Sequence, residues 1–370
     1  IDHKPLRLDH PFQAQRGRSL HLRGITKPAF SSSNSVCSSF GPAISGTQCI
    51  NRPNFPALMP AFSVCSTIHG TKHGPDIYWS AFLDAVSAAQ RVRASIVDAV
   101  GDGVSITTGT HVAVEPIVAC NSCHFCYTAR GNLCADHEFI GIALPGGLTE
   151  YILVPESLLY RLPQNLNKSS AALSEPMAVC VRGARIAQVG IGDRVAIIGA
   201  GSIGLLSILA AKQAGAGEVL ITARHPHQQE LALALGADKV FQSAEHLLSE
   251  IGDQHADIVI ETVGGEGNTL DEAVRITRSG GRISVLGLFQ GSPAIPGMAF
   301  FQKELTIAAS NCYSRESTLS DFYLGTQLAT QHADLITPLV THTFSLDEVD
   351  QAFAVAEDKS TRSIKVQIHY

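Results

Sequence analysis

From residue 95 onward, apolar positions fall into short β-rich runs that alternate with segments of helical spacing, and each segment closes on a turn-forming residue. Residues 95–104 (SIVDAVGDGV) and 111–119 (HVAVEPIVA) read as strands, with a Gly-Asp-Gly turn inside the first stretch. Residues 146–163 (GGLTEYILVPESLLYRLP) read as further short strands with turns. A clear rhythm then sets in. A strand at 194–198 leads through a glycine-rich turn into an Ala/Leu helix closed by Gly215, and a second strand follows. A helix through Ala234, a strand at 239–241, a helix at 246–252 and a strand at 257–264 continue it. A helix at 268–277 and a strand at 282–288 complete the series. Strands alternating with helices predict a parallel, doubly wound sheet, so the fold class is α/β.

The first 95 residues do not share this rhythm. Only 78–92 (YWSAFLDAVSAAQRV) has helical apolar spacing. Residues 1–75 carry Lys4, Arg7, Arg16, Arg18, Arg23, Lys27, Arg52 and Lys72 against Asp2 and Asp9, with a serine-rich stretch from Ser31. Such a basic, acid-poor segment is expected to be either an organelle leader or a degenerate first part of the folded domain, the second being favoured. The chain opens on Ile1 without a methionine, as a fragment or processed product would.

Composition narrows the function classes. The chain has 370 residues, 45% hydrophobic and 16% charged, with 32 glycines, which suits a core-forming protein of about two to three domains. A net charge of −6 argues against a polyanion-binding surface. No apolar run reaches the roughly 18 residues that a membrane-spanning helix requires. Four of the nine cysteines crowd into residues 120–134, which reads as a metal site in a reducing, cytoplasmic setting sooner than as a disulfide framework.

Two motifs carry chemistry. Gly199, Ala200, Gly201, Ser202, Ile203 and Gly204 form a GxGxxG turn between a strand and a helix, the context that makes this pattern a dinucleotide site. Gly199 permits the turn, Gly201 lets the backbone approach a pyrophosphate, and Gly204 lets helix and strand pack closely. The phosphates would rest on the helix N-terminus. At the end of the next strand an NAD site normally carries an acid for the ribose hydroxyls. This chain has Ala223, Arg224 and His225 there, which favours NADP(H) over NAD(H), Arg224 pairing with a 2′-phosphate. The second motif is C-x2-C-x2-C-x7-C: Cys120, Cys123, Cys126 and Cys134. Four thiolates can close a tetrahedral, structural zinc shell; an iron–sulfur loop and unligated thiols are the alternatives. A nucleic-acid-binding zinc ribbon is disfavoured, because the loop offers only Arg130 beside Asp136 and Glu138. Cys37, Cys49, Cys180 and Cys312 read as small buried apolar residues.

The four-cysteine lobe, GGLTEYILVP, AALSEPMAVCVRGA, GAGSIG and the closing stretch from Leu335 together resemble the zinc-dependent medium-chain dehydrogenase/reductases, in their sorbitol, polyol and threonine dehydrogenase-like branch. The resemblance runs from about residue 96 to 370. It implies a GroES-like, mostly-β catalytic domain at 96–156, a Rossmann domain inserted at 157–300 and a return to the catalytic domain at 301–370. It implies that Cys120, Cys123, Cys126 and Cys134 hold the structural zinc, and that the chain forms a homodimer or homotetramer through an edge strand near 283–310. It further implies a second, catalytic zinc that polarises an alcohol oxygen for hydride transfer to the nicotinamide. For that zinc, Glu175 in SEP matches the later family ligand, and Cys65 in SVCSTIHG matches the first. Glu175 also reads as a carboxylate that suits a helix start beside Pro176. The family's GHE motif should precede residue 95; the chain has SAAQRVRA there, and no histidine lies between His73 and His111. The expected activity is interconversion of a small alcohol or polyol with its carbonyl compound. The alternative is a relative that binds NAD(P) and structural zinc but is impaired in catalysis.

Overall fold

Why the 194–309 region becomes one parallel sheet is visible strand by strand in a computed structural model, which describes residues 94–252 and 255–369. Cys65, the 78–92 helix and the basic leader lie outside the described residues. The first part of the described chain contains β1 (Ala94–Ile96), β2 (His111–Val114), β3 (Ile117–Val118), α1 (His124–Tyr127), β4 (Glu138–Phe139), β5 (Leu159–Arg161), α2 (Lys168–Ala171) and α3 (Ser174–Ile186). β1, β2 and β5 form an antiparallel sheet in that order, and β3 pairs with β4. Residues 151–154, expected as a strand, form none. A strand needs a neighbour for its hydrogen bonds; none of the described strands pairs with these residues, and Leu153 is 82% exposed.

The next part contains β6 (Arg194–Ile198), α4 (Ser202–Ala214), β7 (Glu218–Thr222), α5 (Pro226–Ala234), β8 (Lys239–Phe241), α6 (Ala244–Ile251), β9 (Ala256–Glu261), α7 (Thr269–Ile276), β10 (Thr277–Val285), α8 (Gly297–Gln302) and β11 (Thr306–Ala309). Its six strands are all parallel, in the order β11-β10-β9-β6-β7-β8. Each predicted strand and helix is present. The sheet continues to Ala309, past residue 300. β6 is buried on both faces, which is why it reads as an unbroken apolar run. Val195 and Ile197 join a core with α3 and α4, including Leu173, Met177, Leu205 and Leu206. Ala196 and Ile198 face the opposite layer, with Leu247 and Val274. α4 stops where Gly215 takes φ +109°, a left-handed cap favoured by glycine.

The remainder holds α9 (Asp321–Gln331), α10 (Ala333–Ile336), β12 (Val340–Ser345), α11 (Val349–Glu357) and β13 (Lys365–His369), with β12 and β13 parallel. α9 crosses α3 so closely that a Cβ on Gly325 would stand 2.5 Å from the Ala178 nitrogen. Among the described residues no helix is long and apolar enough to cross a membrane.

Candidate active-site region

The glycine turn is built by three strand ends. Gly199, at φ +97°, donates its N–H to Thr222 Oγ1 at 2.9 Å, tying the end of β6 to the end of β7. Thr262, just past β9, donates its hydroxyl to the Ile198 carbonyl at 2.8 Å. Gly201 is the N-cap of α4, and a Cβ there would meet nothing within 4 Å. That open space above a helix N-terminus is what a pyrophosphate needs, so these residues fit a dinucleotide. Ser202 and Ile203 open the helix, and the Ile203 carbonyl accepts from Ser207 Oγ at 2.8 Å.

At the end of β7, Ala223 is buried while Arg224 and His225 are exposed. Burial and Glu245 push the Glu272 carboxyl upward, and the Arg224 guanidinium partly offsets them. The His225 and His227 rings stack at 5.7 Å. A cavity of about 350 Å³ opens there, lined also by Glu230, Ser360 and Arg362. Burial, His225 and Arg362 hold His227 below the usual imidazole range, against Glu230.

The cysteine lobe is equally local. Asn121 (φ 57°) and Ala129 (φ 59°) turn the chain around α1, and the four sulfurs of Cys120, Cys123, Cys126 and Cys134 lie within 4.8 Å of one another. They fit a tetrahedral metal. Hydrogen bonds from Ser122 bring the Cys120 thiol down to about 6.

The lobe also grips a distant loop, which the sequence does not reveal. Asn132 Nδ2 donates to the Asn311 carbonyl at 2.9 Å, and Asn311 Nδ2 returns a bond to Asn132 at 3.3 Å. Arg315 N donates to the Ala129 carbonyl at 2.9 Å. Glu316 bridges Arg130 at 2.8 Å and Arg182 of α3 at 2.6 Å. Asp321, fully buried, takes Arg185 and the Ser314 N–H.

Glu175 sits in the first turn of α3, as the residue pattern predicts. Two buried groups keep it company: Tyr313, 2% exposed, and Lys365 of β13, 7% exposed. Neither the Tyr313 hydroxyl nor the Lys365 ammonium closes a hydrogen bond of normal geometry. Burial pushes Glu175 up, opposed by Lys365; burial likewise pushes Lys365 down, opposed by Glu175. Burial, with Glu175 nearby, raises the Cys312 thiol to about 12. Sequence reading missed Lys365, although one cationic residue inside the apolar SIKVQI run was a usable signal. Among the described residues the four cysteines are the one cluster of three or more metal-ligating side chains, and Glu175 belongs to none. The described residues therefore do not fit a complete catalytic zinc site, and Cys65 lies outside them.

A doubly wound dinucleotide-type sheet joined to a small β domain with a four-thiol lobe defines the class of two-domain nicotinamide oxidoreductases. Comparison with known proteins is consistent. The model of the alcohol dehydrogenase GroES-like domain matches residues 93–164, and that of the zinc-binding dehydrogenases matches 202–325. An uncharacterised zinc-type alcohol dehydrogenase-like protein of Escherichia coli is 30% identical over 308 residues, covering 81% of this chain and 86% of its own. Sorbitol dehydrogenase of Arabidopsis thaliana is 28% identical over 290 residues, covering 75% and 78%. A zinc-binding dehydrogenase from Sinorhizobium meliloti, solved bound to NADP, superposes with TM-score 0.66 at 25% identity, covering 78% and 88%. The chain belongs to the zinc-dependent medium-chain dehydrogenases, in the sorbitol dehydrogenase-like branch.

Proposed function

We propose that this chain transfers hydride between a small alcohol or polyol and NADP(H), in preference to NAD(H). The observation that carries the cofactor choice is the end of β7, where a buried Ala223 and exposed Arg224 and His225 stand in place of a ribose-binding acid. A 2′-phosphate would meet no carboxylate at these three positions and would gain the Arg224 guanidinium. Arg362, lining the same cavity as His225, adds a second positive group. Gly199, Gly201, Ser202, Ile203 and Gly204 would seat the pyrophosphate on the α4 N-terminus. A bound nicotinamide would supply hydride acceptance: in the oxidative direction the carbinol C–H would leave as hydride to nicotinamide C4 and the hydroxyl proton would leave to a base, giving the carbonyl compound. Cys120, Cys123, Cys126 and Cys134 would hold a structural zinc, whose contribution is folding of the lobe.

A second reading has its own observation. Glu175 is buried within the electrostatic influence of Lys365, and no described ligand joins it. On that reading the chain binds NADP(H) and one zinc but lacks the catalytic metal. Zinc content per chain, with nicotinamide-fluorescence titrations of NADPH and NADH, tests both. Two zincs would support the dehydrogenase, one zinc would support the binder, and tighter NADH than NADPH binding would remove the cofactor assignment.

We also place a second copy of the chain on the edge of the sheet, where β11 is the terminal strand and Met298 and Phe301 are 69% and 77% exposed. A monomer by light scattering would refute this. The thiols of the described cysteines are all free, which suits a reducing, cytoplasmic setting.

A further inference from the structure

Glu261 ends β9 with no exposure. Its Oε1 accepts three hydrogen bonds, from Val263 N at 2.8 Å, Gly264 N at 2.9 Å and Thr269 Oγ1 at 2.8 Å. Its Oε2 is buried without a partner, and a Cβ on Gly287 would come within 2.4 Å of it. A carboxylate is a stronger acceptor than a neutral oxygen, and here it gathers the main-chain donors of Val263 and Gly264 where the turn leaves β9.

The turn it gathers is a wall of the dinucleotide crevice. β9 lies beside β6 at the point where strand order reverses, the place where doubly wound sheets bind ligands. Val263 Cγ2 stands 2.5 Å, and Thr262 Oγ1 3.1 Å, from where a Cβ on Gly199 would be. On its other side the turn is pinned to the loop after β10, Gly265 N donating to the Leu288 carbonyl at 2.7 Å and Gln290 N to the Gly265 carbonyl at 3.0 Å. The main chain of Glu261 joins the same loop by accepting from Leu286 N at 2.8 Å. The buried side chain thus ties together the loop that follows β9, and main-chain bonds join that loop to the one after β10.

We propose that Glu261 is a positioning residue for the dinucleotide: its carboxylate holds the 262–269 turn against the 199–204 turn and so sets the crevice into which the cofactor fits. It touches neither cofactor nor substrate. The inference rests on the dinucleotide reading of the glycine turn, but not on the choice between NADP(H) and NAD(H).

The test is Glu261→Gln in the full, zinc-loaded chain, with NADPH and NADH binding followed by nicotinamide fluorescence. Glutamine keeps the shape and removes the charge. About tenfold weaker binding of both nucleotides is expected, with zinc content unchanged, since one hydrogen-bond equivalent near 1.4 kcal/mol is a factor of ten. Thr269→Val removes one donor and should weaken binding about threefold, and Thr269→Ser, which restores the hydroxyl, should recover it. Should the glutamine variant fail to fold, the threonine pair decides. Wild-type affinity in Glu261→Gln, or equal affinities in the valine and serine variants, would overturn the proposal. A wild-type chain that binds neither nucleotide would instead refute the dinucleotide reading and this proposal with it.

Discussion

Replacing Gly204 with alanine places a methyl group 1.9 Å from the Gly199 carbonyl oxygen, 2.9 Å from its carbonyl carbon and 2.9 Å from Thr262 Oγ1. The first two contacts are main chain, so no rotamer relieves them. Either α4 retreats from β6 or the 199–201 turn opens. Overpacking a rigid interior costs about 1–3 kcal/mol, and so deep an overlap belongs at the upper end, about 3 kcal/mol. At roughly 2–4 °C per kcal/mol for a domain of this size, the thermal midpoint should fall by about 6–12 °C. Gly201→Ala is the matching control. Its φ of −76° and ψ of −173° suit alanine, and its Cβ meets nothing within 4 Å. At an N-cap glycine ranks above alanine, so the change should cost up to about 1 kcal/mol and lower the midpoint by at most about 2–4 °C, well short of the Gly204→Ala shift. The space that the methyl enters is the space assigned to the pyrophosphate, so NADPH affinity should fall at least about tenfold. Circular-dichroism melts and fluorescence titrations read the two effects separately. A Gly204→Ala protein that melts with the wild type, or a Gly201→Ala protein that binds NADPH normally, would refute the reasoning.

Arg224→Asp should weaken NADPH and strengthen NADH binding, each by about tenfold, because it removes the 2′-phosphate partner and restores a ribose acceptor; an unchanged ratio of dissociation constants would sink the assignment. Cys123→Ser should lower zinc by one equivalent and reduce stability, read by emission spectroscopy and melting; unaltered zinc would exclude the four-thiol site. Burial acts to raise the Asp257 carboxyl, but hydrogen bonds from Arg278 Nε at 2.6 Å and Arg194 N at 2.7 Å outweigh it and hold it below its ordinary range. A depressed carboxylate stabilises above its unfolded pKa near 4 and loses that contribution as pH falls through the folded value. Asp257→Asn should therefore cost stability in urea at pH 7 and progressively less as pH drops below 4, whereas an equal gap at both would contradict the ion pair's role.

Much of this molecule is legible because its signals are short. The run RVAII, the glycine at each bend of GAGSIG and the apolar spacing of 202–214 all act within one element and its two neighbours. The four cysteines sit in a single loop, so spacing alone brings their sulfurs together. Residues 151–154 mark the limit. Their composition is that of a strand, but a strand exists only with a partner, and none of the described strands pairs with them.

The identity of the sheet, the dinucleotide turn and the thiol lobe was thus determined by the sequence itself, through periodicity and local backbone requirements. Only the tertiary structure decided that Asn132 meets Asn311, 179 positions away, and that Lys365 is buried where its charge acts on Glu175. It alone made Glu261 the anchor of the turn that walls the crevice. Such contacts have no period and no fixed spacing, because they follow from how whole elements pack, and packing satisfies buried polar groups with whichever partners it brings within reach.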